Sequence, residues 1–105
     1  MNYQPNPIDT RHIEFSNEID ELVEMLARNT HEVWSQTRLN QGWDFGSERD
    51  DAKKQHPCIT SYDDLPESER DVDRNTAIQV LKTIMALGYT IHKIERSDAD
   101  GQTHA

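Results

Sequence analysis

Apolar residues in the first half of the chain recur at helical spacing. From Ile19 the series runs Leu22, Val23, Leu26, Val33 and Trp34, and Thr30 continues the stripe between Leu26 and Val33. Steps of three and four place such residues on one side of a helix. Ser16 or Asn17 can cap this helix, and Glu18, Asp20 and Glu21 fall in its first turn, near the positive end of the helix dipole. Gly42 supplies a stop. The pattern predicts a helix from about Asn17 to Asn40, roughly 35 Å long.

A second stripe, Val72, Thr76, Val80, Leu81 and Ile84, predicts a second helix. Asp64 is expected to cap it, with Pro66 in the first turn, Glu67 completing a capping box and Gly88 ending it. The stretch from Gly42 to Asp64 carries Gly42, Gly46 and Pro57 without helical period, which predicts an ordered loop with a short strand near Cys58–Ile59. Tyr3 to Thr10, with Pro5 and Pro7, reads as an extended lead-in. After Tyr89 a brief alternation through Ile91 predicts a short C-terminal strand, followed by a polar, frayed tail over 97–105. The expected architecture is one domain over 1–105, with a core from about 3 to 94. It is mainly α: two long antiparallel helices, an ordered loop, an extended N-terminal lead-in and a short C-terminal strand. The expected interior is Leu22, Val23, Leu26, Val33, Val80, Leu81, Ile84 and Leu87.

Composition narrows this picture. Only 33% of the 105 residues are apolar and 30% are charged, so the core must be thin. A core so thin is often completed against another copy, which gives a first pointer to a homodimer. Net charge is −9, and Asp44 to Asp73 holds ten of the 20 acids. A phosphate backbone is repelled by such a surface, so duplex nucleic acid is not an expected partner. A small anionic ligand needs only one or two placed cations and stays open. The single cysteine, Cys58, leaves no intramolecular disulfide. No signal peptide is visible at the amino terminus. No apolar run approaches the roughly 18 residues of a membrane span, so a cytoplasmic location without membrane contact is expected.

Ordered motifs add more. They run Leu26-Ala27-Arg28-Asn29-Thr30-His31-Glu32-Val33-Trp34, Gly42-Trp43-Asp44-Phe45-Gly46, Arg49-Asp50-Asp51, His56-Pro57-Cys58, Leu65-Pro66-Glu67, Asp73-Arg74 and Leu81 through Tyr89. In this order and spacing the chain resembles the ryanodine-receptor repeat domain family from about Tyr3 to Ile94. The resemblance implies a cytoplasmic, non-pore module, found in tandem pairs in calcium-release channels and as small or fused domains in bacteria, there often beside nucleotide-linked systems. It also implies that the helix face bearing Trp34, with His31 and Arg38, lines a cleft for an adenine-containing ligand. The family forms that cleft from paired repeats and this sequence has one, so completing it calls for a second chain.

His31, Trp34 and Arg38, at i, i+3 and i+7, share a helix face. An indole beside a guanidinium and an imidazole can hold a base and a phosphate. The plainer reading makes Trp34 core, Arg38 the partner of an acid and His31 a satisfied surface group. Arg49, Asp50, Asp51, Asp73 and Arg74 read as loop-fixing ion pairs, and Trp43 and Phe45 as aromatic anchors of the loop. His31-Glu32-Val33-Trp34-Ser35 lacks the second histidine of a zinc-protease motif, and His56 with Cys58 has no second ligand pair. No metal, no cofactor and no catalysis are expected. The function expected is a non-catalytic module sensing a small nucleotide-like ligand; the alternative is a purely structural interaction or self-association domain.

Overall fold

In the computed structural model, which describes residues 2–94, two helices carry the fold: α1 (Asn17–Asn40) and α2 (Glu67–Ala86). Between them lie two short strands, β1 (Asp44–Phe45) and β2 (Gln55–His56), and a 3-10 turn over Tyr62–Asp64. The Ser16 hydroxyl accepts from the Ile19 N–H at the start of α1. Both helices end in the same device. Gly42 (φ +90°) and Gly88 (φ +103°) take the left-handed conformation that L side chains resist. The following residues fold back: Trp43 N–H donates to the Arg38 carbonyl at 2.9 Å, and Tyr89 N–H to that of Ile84 at 3.3 Å. Trp43 is thereby tied to the last turn of α1.

The loop is ordered by its own backbone. Asp50 and Gln55 exchange both N–H···O bonds, at 2.8 and 2.9 Å, around a turn in which the Asp50 carboxylate accepts from the Lys53 N–H. That turn returns β2 to lie parallel to β1, with Asp44 opposite Gln55 and Phe45 opposite His56. Gly46 permits the approach, since a Cβ there would lie 2.6 Å from the Gln55 Cβ.

Contacts between the helices run in opposite order along the chain. Lys82 lies over the Phe15 ring, just ahead of α1, Glu24 bonds Arg74, and Trp34 shares a cavity with Glu69 and Asp73. The buried residues are Ile19, Ala27 and His31 from α1, Tyr62 and Leu65 from the connection, and Ala77 and Leu81 from α2. Ala27, fully covered, clusters with Tyr62 and Leu65, and Cys58 packs against them. A methyl at this point of α1 leaves room for the Tyr62 ring, whose hydroxyl donates to Glu24 at 3.0 Å. Thr10, in the lead-in, is buried and donates to Gln79 on α2 at 3.1 Å.

Several expectations need correction. On α2 the buried residues are Ala77 and Leu81; Leu81 lies on the expected stripe, but Val72, Thr76 and Val80 are exposed, Ile84 is half-buried, and Asp73 is half-buried in line with Ala77. On α1 the line runs through Ile19, Ala27 and His31, so Leu22, Val23 and Leu26 are half-buried, while Val33 and, after α2, Leu87 are exposed. The strand expected at Cys58–Ile59 forms at Gln55–His56, because the Asp50–Gln55 turn fixes where the chain can return to β1. Asp64 does not cap α2: Pro66 occupies that place without a side-chain bond, and Asp64 instead accepts from the Ser61 hydroxyl within the 3-10 turn. No strand forms over residues 89–94. The tail over 97–105 lies outside the described residues. Among those described, no helix is long and apolar enough to cross a membrane.

Candidate functional site

The C-terminal half of α1, β2 and the first turns of α2 enclose a cavity of about 280 Å³. The helix α1 brings His31 and Trp34 to it, one turn apart, with rings stacked at 5.8 Å and 25°. The strand β2 brings His56, which meets the Trp34 indole edge-on at 5.2 Å. Cys58 and Leu65 come from the connection, and Glu69, Val72 and Asp73 from α2. The lining joins aromatic rings to two carboxylates.

His31 is buried, and its Nε2 lies 2.6 Å from the Thr60 carbonyl oxygen, with the Ser35 hydroxyl at 3.4 Å. A carbonyl only accepts, so the proton is on Nε2 and the ring is fixed in place. Its stack on Trp34 then orients the indole. His56 is bonded the other way round: its Nδ1 accepts from the Cys58 N–H at 3.0 Å, which puts its proton on Nε2. Burial pushes its pKa down, and the Arg49 and Arg38 charges add to this. Both effects favour the neutral form of His56. Burial, reinforced by the charges of Glu69 and Asp73, pushes the Cys58 thiol up. Burial also raises the Asp73 carboxyl, with Glu69 acting in the same direction and His31 against it.

Arg38 is not among the lining residues of the cavity. Its guanidinium lies over both indoles, 5.8 Å from the Trp34 centroid and 5.2 Å from that of Trp43, and donates to Gln41. Arg49 lies over the Trp43 ring at 5.9 Å while pairing with Asp51. Cations and indoles thus alternate from Arg49 through Trp43 and Arg38 to Trp34. Among the described residues Arg38 makes no salt bridge, so the acid partner of the plainer reading is absent.

The remaining singled-out residues separate. Trp43 is half-buried and lies 6.4 Å from His56, whereas Phe45 is 56% exposed and does not reach the interior. Asp50 secures its turn. Arg74 bonds Glu24, Glu67 and Asp71, linking the two helices, and shares the Glu24 carboxylate with Tyr62 of the loop. Asp73 lines the cavity. Sequence reasoning missed His56, Cys58, Leu65, Glu69 and Val72 as cavity residues. One signal was available for two of them: Leu65 and Glu69 stand eight and four places before Asp73, which puts Glu69 on the helix face of Asp73 with Leu65 just ahead.

A model of the RyR domain matches residues 3–93 of the chain. The chain belongs to the RyR domain family. The match takes in the lead-in, both helices and the whole loop, so every residue lining this RyR domain's cavity falls within it. Among the described residues, no group of three or more His, Cys, Asp or Glu side chains is placed to hold a metal ion.

Proposed function

We propose that this RyR domain is a non-catalytic binding module, with a small nucleotide-like ligand seated against Trp34. The observation that carries the reading is the cavity beside a pre-oriented indole, Trp34, with the Arg38 guanidinium over that ring and Arg49 farther out over Trp43. A base fits against the indole inside, and phosphate is attracted to the guanidinium side. The non-catalytic reading draws support from the states of His56 and Cys58, though not from the cavity carboxylates, which keep free lone pairs. A general base needs a free lone pair and a nucleophile needs a thiolate. His56 uses its lone pair on a backbone N–H, and the Cys58 thiol is pushed up.

The test is a thermal-shift series with adenine nucleotides, since a ligand that binds only the folded state raises Tm with concentration. The expected result is a rise that Trp34→Ala abolishes and Arg38→Ala weakens while sparing the fold. No response of the wild type to any adenine nucleotide overturns the reading.

A second reading, self-association, is favoured by the exposed line of Val72, Val80 and Leu87. The inverted order of helix contacts supports an antiparallel pair, which leaves that line facing outward. A twofold dimer would use the same face on both copies. Sedimentation decides this, and a monomer at all concentrations removes it.

A further inference from the structure

Among the described acids only Asp50 and Asp73 are not exposed, and the Asp50 carboxylate accepts from the Lys53 N–H. Asp9, Glu24, Asp51, Asp63, Glu67 and Asp71 each pair with an arginine. Asp73 lines the cavity beside Glu69; Glu69 accepts from the Cys58 thiol, whereas among the described residues Asp73 takes part in no salt bridge or hydrogen-bonded side-chain pair. No lysine or arginine lines the cavity with them. Half-burying a carboxylate without a partner is costly, and a second negative charge nearby adds to the cost. A cation or N–H donor entering the cavity relieves both.

We propose that Asp73, with Glu69 beside it, selects which end of a ligand enters: a flat group, stacked on Trp34, that carries a hydrogen-bond-donating or protonated nitrogen. This rests on the reading of the cavity as the ligand site. The amino edge of a nucleobase and an aromatic amidinium share this chemistry. Phosphate is repelled from the carboxylate end and must stay outside, toward Arg38 and Arg49. His31 and His56 are the other titratable rings facing the acids, and each already spends one nitrogen on the backbone.

The experiment measures affinities of the full chain and its Asp73→Asn variant for three probes. These are adenosine 5′-monophosphate, purine riboside 5′-monophosphate (which lacks only the 6-amino group) and benzamidinium. Wild type is expected to prefer the amino-bearing nucleotide by at least about tenfold, the scale of a hydrogen bond to a charged group. It is also expected to bind benzamidinium. Asp73→Asn should erase the preference and weaken benzamidinium by a similar factor, with Tm unchanged or raised because an unpaired charge has gone. Equal affinity for the two nucleotides, or a preference that survives Asp73→Asn, overturns the inference and leaves nucleotide binding standing. Benzamidinium binding that depends on Asp73, without any nucleotide binding, keeps the inference and removes the nucleotide. Binding of no probe overturns both.

Discussion

Where α1 ends and α2 begins, the interior is made of rings and fixed by directional bonds. Tyr62, His31, Trp34 and His56 meet in that order, and Glu24, Thr60 and Cys58 hold three of them by hydrogen bonds. At the opposite end, where α1 begins and α2 finishes, the buried residues are Ile19, Ala77 and Leu81, joined by Thr10 from the lead-in. Aliphatic contact there is non-directional and tolerates repacking. Ring stacks and bonded imidazoles do not, because each ring has one orientation that satisfies its nitrogen. The contrast teaches where a ligand site can be built in so thin a core: on the end whose side chains are already held still.

The sharpest way to break this comparison is to remove one large side chain from each end. Tyr62→Ala should cost about 3–5 kcal/mol, and Leu81→Ala about 2–5 kcal/mol, the ranges for deleting buried aromatic and leucine side chains. Both residues are almost fully covered. In a small domain either loss approaches the whole margin. Denaturant melts decide it. A Tyr62→Ala cost below that of an ordinary surface change would mean that the ring end does not hold the fold.

How much of this was legible follows from the same contrast. The bounds of α1 were readable because caps, acidic first turn, stripe and Gly42 all agree. The buried line within it was misplaced because Ala27 and His31 carry little hydrophobic signal, yet the interior wants a small residue at one and a bonded ring at the other. On α2, Val72, Thr76 and Val80 are spaced by four and so make a periodic line as good as Asp73, Ala77 and Leu81. Tertiary contact decides between them, burying Ala77 and Leu81 and leaving Val72 and Val80 exposed. Tyr62 itself lies among Ser61, Asp63 and Asp64, where no periodicity marks it as core. For the site, Trp34 and His31 were legible as one helix face. His56 was not, since its arrival depends on the Asp50–Gln55 turn.

Gly46→Ala perturbs the ring end through its backbone. The new methyl meets Gln55, so β2 must shift and carry His56 with it. The expected cost is about 1–3 kcal/mol, typical of forced overpacking, with changed fluorescence of the indoles against His56. An unchanged stability would show that β2 does not position His56.

Acid should loosen the ring end first. His56 has a folded pKa below its ordinary 6.5, so the unfolded chain takes up a proton there before the folded chain does. Its contribution is present above 6.5 and is lost progressively as pH falls below that value. Glu24 and Glu67, held below 4.5 chiefly by Arg74, and Asp63, held below 3.8 by Arg28, lose theirs only at lower pH. Melts between pH 7 and 5 should therefore slope in the wild type. In His56→Gln, which keeps an acceptor for the Cys58 N–H, the slope should be reduced. Equal slopes would assign the loss elsewhere.

The smallest expected effects concern side chains that look structural in the sequence and are not. Val80 is 53% exposed on the outer line of α2, and Phe45 is 56% exposed on β1. Truncating either to alanine removes little buried surface and breaks no side-chain bond, so each should stay within about 0.5 kcal/mol of the wild type. Trp43→Ala, two residues from Phe45, removes a half-buried ring between Arg38, Arg49 and His56 and should cost clearly more. The pair isolates what the loop contributes. Only an indole in contact with the cation stack strengthens the ring end, whereas an aromatic ring on the loop surface does not. If Phe45→Ala cost as much as Trp43→Ala in the same denaturant series, aromatic content rather than contact would govern the loop. If Val80→Ala cost more than about 1 kcal/mol and that cost vanished on dilution, the outer line of α2 would be covered by a second copy.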